Sequence, residues 1–204
     1  MTILPAAYLP SVAYFAALLR GDCVIDLGEH FIKRSERNRA RILAADGVQE
    51  LTVQVVRANR PRQPMHAMRL DYSKRWQHLH WGALTAAYKA APFFDHYAPR
   101  LEPFYTRPWP LLADYNLALL HVLCEAAGIP FPAVSEHYIE AAADDLDLRP
   151  KTKGPAFHAE PYVQVFSDRQ PFAPNVSFLD LLFAEGPGSC AVLTRCRFES
   201  PSCR

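Results

Sequence analysis

Apolar positions change their period three times before residue 28. "TILP" (Thr2–Pro5) is a short apolar run, "SVAYFAALLRG" is apolar on nearly every turn, and "CVIDL" (Cys23–Leu27) carries the β-branched run of a buried strand. Pro10 fits the first turn of the intervening helix and Gly21 its end. Strand, helix and strand in close succession predict a βαβ unit. The fold class that follows is α/β, with a partly parallel mixed sheet begun by this unit and helices flanking it.

Further along, "RARILAADGVQELTVQVV" alternates about an "ADG" turn and predicts a hairpin. "NRPRQPMHAM" is a proline-punctuated loop and "MRLDYS" a brief strand. In "SKRWQHLHWGALTAAYKAAP", Trp76, His80, Leu84 and Tyr88 recur every four residues on one helix face, with Ser73 as the expected N-cap. "PWPLLADYNLALLHVLCEAAGIP" predicts a second long helix stopping at Gly128, and the aromatic, proline-rich segment between the two predicts short helical turns. The polar stretch around Asp144–Glu160 reads as a long loop, and "PYVQVF" alternates as a strand. "NVSFLDLLFAEGP" predicts a helix capped by Asn175, in which Asp180 sits among large apolar residues and needs a buried partner. Residues 1–190 are expected to form one domain, and 191–204 a flexible tail.

Charge narrows the functional classes. Twenty-two basic residues against 21 acidic ones leave a net charge of +1, which is no footprint for general nucleic-acid binding. The apolar N-terminus lacks a basic flank and is broken by two prolines, so no signal peptide is expected. No run of about 18 apolar residues predicts a membrane span. The five cysteines are odd in number and show no CxxC pair, which predicts reduced thiols, no zinc site and a cytoplasmic location.

Against this neutral background "EHFIKRSERNR" (Glu29–Arg39) concentrates His30, Lys33, Arg34, Arg37 and Arg39, with Arg41 just beyond. If extended, the segment projects Arg37, Arg39 and Arg41 from one face and Asn38, Ala40 and Ile42 from the other; if helical, it makes a stripe of Lys33, Arg37 and Arg41. Such a stripe is either a solvated basic face or a local anion site, because the planar fork of Arg matches phosphate and carboxylate. On the anion reading, Arg37→Lys or Arg39→Lys weakens binding and spares the fold. His30 follows the second strand of the βαβ unit, at the carboxyl end where open α/β sheets place ligands, and is a candidate acid or base. His80, beside Trp76 and Leu84, is either a satisfied core histidine or a second such candidate. Dinucleotide, P-loop, nucleophile-elbow and zincin motifs are absent, and the Asp144, Asp145, Asp147 cluster reads as a solvated acidic loop.

Taken together and in order, "YLPSVAYFAALLRGDCVID", "EHFIKRSERNRARILAADGVQELTVQV", "WQHLHWGALTAAYKAAPFFDHY", "DYNLALL", "PYVQVF" and "PNVSFLDLLFAEGP" resemble the WbqC-like proteins. Tyr8, Pro10, Tyr14, Lys33, Arg37, Asn38, Arg39, Trp76, His80, Gln164, Asn175 and Asp180 match the family pattern, with His30 a looser match. The chain departs from it in the Asp144–Glu160 loop and in the cysteine-bearing tail after Gly188.

The resemblance implies a cytoplasmic step in bacterial surface-polysaccharide or O-antigen biosynthesis. One form is a transferase moving an acyl or aminoacyl group from an activated donor to a sugar. There Lys33, Arg37 and Arg39 hold phosphate, Tyr8, Asn38 and Gln164 complete the substrate site, and His30 or His80 deprotonates the acceptor. The alternative is a noncatalytic protein that binds a nucleotide-sugar or a partner enzyme. Either way the expected ligand is a small anionic or phosphorylated molecule; no cofactor is identified, no metal is expected, and the oligomeric state is left open.

Overall fold

The computed structural model describes residues 1–56, 63–150 and 156–199 of the 204-residue chain. In chain order its elements are β1 (Thr2–Pro5), α1 (Val12–Leu19), β2 (Cys23–Asp26), β3 (Arg39–Ala44), β4 (Gly47–Thr52), α2 (Trp76–Tyr88), α3 (Phe94–Leu101) and α4 (Pro103–Thr106). There follow α5 (Leu112–Ala127), β5 (Ala133–Ser135), β6 (Leu146–Asp147), β7 (Phe157–His158), α6 (Phe178–Glu185), α7 (Ser189–Arg195) and β8 (Arg197–Phe198).

The α/β fold begins with the expected βαβ unit: β1 and β2 pair in parallel, from Thr2 opposite Cys23 to Pro5 opposite Asp26. β5 adds outside β2 and β6 outside β1, giving the order β5-β2-β1-β6 with every pair parallel. Among the described residues, antiparallel strands form two ribbons outside this sheet, β3–β4 and β7–β8, beside isolated bridges such as Ser11 to Ser177. β6 comes from the stretch that the sequence presents as one long loop.

α1 is apolar all round because it is buried all round, from Val12 through Leu18. Two side chains cap its first turn: the Ser11 hydroxyl accepts from the Tyr14 amide at 3.4 Å and Asn175 Oδ1 from the Ala13 amide at 2.8 Å. Asn175 thus caps α1 and not the helix that follows it. Ser177 takes that role by accepting from Leu179 N at 3.3 Å. Phe15 of α1 and Phe178 of α6 stack with centroids 3.8 Å apart.

In α2 the predicted face of Trp76, His80, Leu84 and Tyr88 is buried. The helix begins at Trp76, not at Ser73, whose amide is held in a turn by Asp71 Oδ1 at 2.8 Å. α5 ends at Gly128, whose φ of 68° lets its amide reach the Cys124 and Glu125 carbonyls.

Two expectations are corrected. "PYVQVF" forms no strand: its last two residues, Val165 and Phe166, enter a turn, and Gln164 turns its side-chain amide back onto Ala173, donating to O at 3.1 Å and accepting from N at 2.8 Å. The segment after Ala191 is no tail as far as Phe198: α7 buries Val192 and Leu193, and β8 pairs with β7. The end of the chain, 200–204, lies outside the described residues.

Asp180, 2% exposed, accepts from Tyr162 OH at 2.7 Å and Gln164 Nε2 at 2.9 Å, the buried partners its apolar surroundings demand. Burial pushes its carboxyl upward while these donors oppose the shift. Asp180→Ala leaves the donors without their shared acceptor and is expected to cost about 1–3 kcal/mol of stability. Urea denaturation of the variant measures it.

Candidate functional site

The strand order places the site. The chain leaves β1 toward β2 and β5, then crosses back to lay β6 on the other side of β1, so the topological switch point lies between β1 and β6. Open α/β sheets take ligands beyond the carboxyl ends of the strands at such a point. A cavity of about 340 Å³ opens there, against Pro5 at the end of β1 and Leu148–Pro150 just after β6. Arg34, Ser35, Glu36, Arg37, Arg39, Arg41 and Glu50 from the basic stretch and its hairpin form the other wall, with Arg37 at its buried floor. A recess of about 30 Å³ shares Glu36, Arg39 and Arg41 with it and is closed by Leu9, Ser11 and Asn175.

Two buried ion clusters support this cleft. Asp26, fully buried at the end of β2, accepts from the amides of Gly28 at 2.8 Å, Glu29 at 3.1 Å and Ile139 at 3.2 Å, and pairs with Arg149. Arg149 also grips Asp147 with a two-point fork at 2.9 and 2.8 Å and lies over the Tyr138 ring. One member of the supposed solvated acidic cluster is therefore structural. Beside it, Arg37, 1% exposed, forks onto Glu29 and donates to Ser35 Oγ at 3.2 Å and Arg149 O at 3.1 Å. Burial pushes the Glu29 carboxyl up to about 7, and the Arg37 fork pulls the other way. The chain is also tightly drawn in here: a Cβ on Gly28 would run into the backbone of His137 and Tyr138.

The arginines at the mouth are differently placed. Arg39 and Arg41 stand on the same side of β3, with Ala40 and Ile42 buried between and beyond them, as the alternation predicts. Arg39 donates to Glu50 at 2.6 Å, and its Nε has no protein partner among the described residues. Arg41 is exposed and donates to the Asn175 carbonyl at 2.8 Å. Leu9, Arg34 and Asn175, three residues of the cleft and recess, hold positive φ angles of 40°, 57° and 56°. Backbone strain of this kind clusters at functional sites.

The other sequence candidates go elsewhere. Lys33 and His30 are exposed and do not line the cleft, and His30 instead bridges to Pro64. Tyr8 is fully buried, its hydroxyl 2.8 Å from His80 Nδ1 and 3.2 Å from Tyr105 OH. His80 takes the core alternative: it is 5% exposed, away from the cleft, and burial pushes its pKa down to about 4, so it is neutral at pH 7. Asn38 joins the start of β3 to Val53 O at 3.1 Å, and Gln164 belongs to the Asp180 cluster. Sequence reasoning passed over Arg34, Glu36, Glu50 and Arg149 as site residues, although "DLR" and the basic stretch contain three of them. Their signal is the contact between β6 and the segment before β3, which no local pattern shows. Among the described residues, no group of three or more His, Cys, Asp and Glu side chains could hold a metal ion, and no helix is long and apolar enough to cross a membrane.

Arg37 lies within the framework, so the expectation that Arg37→Lys spares the fold is revised: the fork to Glu29 is lost and stability falls. Arg37→Ala, which strands Glu29, is expected to cost about 3–5 kcal/mol, and the double change Glu29→Gln/Arg37→Met less than that. A double-mutant cycle by urea denaturation measures both. For His80 the unfolded chain takes up a proton near pH 6.5 while the folded chain resists until about 4. Stability is then full above pH 6.5 and falls by up to about 3 kcal/mol as pH drops to 4. His80→Gln removes that portion of the slope in melts across this range.

The model of the WbqC-like protein family matches residues 6–165, which include Arg34–Arg41 and Arg149. A protein of Mycobacterium tuberculosis (strain ATCC 25618 / H37Rv) described as "Uncharacterized protein Rv1507c" is 27% identical over 232 aligned positions, covering 97% of this chain and 98% of the relative. No solved structure gives a significant match. With the family model spanning most of its length, the chain belongs to the WbqC-like protein family.

Proposed function

We propose that the chain binds a phosphate-bearing small molecule in the cleft between β1 and β6, as a cytoplasmic transferase of bacterial surface-polysaccharide assembly. It moves an acyl or aminoacyl group from an activated donor to a sugar. The observation that carries the anion reading is the convergence of Arg34, Arg39 and Arg41 on one cleft in a chain of net charge +1. Diffuse polyanion attraction needs a charge excess that this chain lacks, whereas a local cluster of forked donors suits one phosphate or carboxylate. The volume of about 340 Å³ also falls within the range of small-molecule sites.

The biosynthetic context comes from the family resemblance, and the transfer chemistry from the need of such a pathway for activated donors. A second reading, a noncatalytic protein that presents a nucleotide-sugar to a partner enzyme, is favoured by one observation: neither His30 nor His80 lines the cleft.

A thermal-shift screen of nucleotide sugars, coenzyme A esters and aminoacyl donors tests the proposal, since a ligand at about 100 times its Kd stabilises by about 2.7 kcal/mol. Arg39→Ala and Arg41→Ala are each expected to weaken a hit by about 1.5–3 kcal/mol, the value of hydrogen bonds to charged groups. Arg39→Lys keeps the charge and loses the fork, and falls between. Turnover of the hit with a sugar acceptor supports transfer, and binding without turnover supports the second reading. Unchanged affinity in all three variants places the site elsewhere.

A further inference from the structure

Glu36 occupies an unusual place for a carboxylate. It is half-buried in the wall that separates the arginine cleft from the recess behind it, and it lines both. Its backbone cannot swing away: the Tyr8 amide donates to its carbonyl at 2.7 Å, and its neighbours Ser35 and Arg37 are buried. Ser11 stands on the far side of the recess and pulls the Glu36 carboxyl back down against its desolvation.

Charged groups face it from each neighbouring element: Arg34 and Arg37 alongside it in the chain, Arg39 and Arg41 of β3, Glu50 of β4 and Arg149 after β6. Tyr14 of α1 is the titratable side chain beneath. In the cleft without a ligand, Arg41 and Arg37 favour the ionised form of Glu36, while desolvation raises its pKa and the arginines only partly reverse this.

A dianion seated on Arg39 and Arg41 changes that balance. It draws on the Arg41 charge that favours ionised Glu36 and places like charge beside that carboxylate, in a partly desolvated wall. Glu50 answers the same repulsion differently. It is 48% exposed at its side chain and can rotate off Arg39 into water. Glu36 is less exposed and stands on a fixed backbone between the two cavities, and protonation is the response open to it there.

We propose that anion binding in the cleft is coupled to uptake of one proton by Glu36, which makes this carboxyl the group that gives or takes a proton in chemistry on the bound molecule. The inference rests on the anion reading of the cleft. It adds a ligand class, a dianionic phosphate-type group bound more tightly as pH falls, and it gives the acid-base role to a residue that touches the cleft in place of two histidines that do not. The recess, walled by Ser11, Asn175 and Glu36 and of about one water's size, suits a single hydroxyl or amino group beside that carboxyl.

Inorganic sulfate is the probe, because it stays a dianion from pH 5.5 to 7.5, so any proton taken up on binding belongs to the protein. Calorimetry on the full chain, in buffers of different ionisation enthalpy, is expected to show net proton uptake and an affinity about tenfold higher at pH 5.5 than at 7.5. Glu36→Gln is expected to bind sulfate with little pH dependence and without that proton, and at pH 7.5 more tightly than the parent. Should that variant fail to fold, Glu36→Ala removes the same carboxyl, and the proton count of the parent chain stands alone as a test. Sulfate bound without proton uptake, or with uptake that survives both replacements, overturns the role of Glu36 and leaves the anion site intact. No sulfate binding at either pH overturns the anion reading itself and this inference with it.

Discussion

The exchange of charge between two buried arginines and three carboxylates holds the cleft together. Asp26 and Glu29 sit at the carboxyl end of β2 with almost no access to water, and each is matched by a guanidinium from a distant part of the chain: Arg149 after β6, and Arg37 before β3. Removing one partner from such a pair strands a charge in a poorly solvated place, which costs far more than the pair itself contributes. The network therefore acts less as a source of stability than as a specification. It brings the end of the outer strand and the basic stretch against the central βαβ unit in one arrangement, and the Arg37 bond to the Arg149 carbonyl joins the two pairs.

That arrangement divides the arginines by what is left for them to bind. Arg37 and Arg149 have their donors committed inside the protein. Arg34, Arg39 and Arg41 reach the cavity mouth, where Arg39 pairs with the exposed Glu50 and its buried Nε has no partner among the described residues. One stretch of sequence thus contains both the internal counter-ion of a buried carboxylate and the donors offered to a ligand. The distinction is set by burial, because a guanidinium at 1% exposure cannot leave its carboxylate for a solute.

Elements whose cause is local were legible in the sequence. The β-branched run of β2, the four-residue repeat of α2 and the alternation of β3 each follow from a burial pattern a few residues long, as does the stop of α5 at Gly128. The basic face of Arg39 and Arg41 was legible for the same reason. What failed depended on contacts far apart in sequence. β6 has two residues and exists as a strand because β1 lies beside it. "PYVQVF" alternates like a strand, yet Gln164 bonds to the Ala173 backbone and Asp180. Arg37 and Arg39 look alike in the sequence, but the fold sets Glu29 against Arg37 alone, and Asn175 sits ahead of α6 but caps α1. The apolar pattern around α7 is too short to stand out from a fraying end, and the packing of α7 decided it.

The central claim, that the mouth arginines receive an anion while the buried ones hold the frame, is tested most directly by NMR of arginine side-chain Nε–Hε groups during titration with inorganic pyrophosphate. The account predicts saturable shifts at Arg39, with Arg41 following, and signals of Arg37 and Arg149 that stay in place and exchange slowly with water throughout. Shifts spread evenly over exposed arginines without saturation, or a response at Arg37 before Arg39, would contradict it.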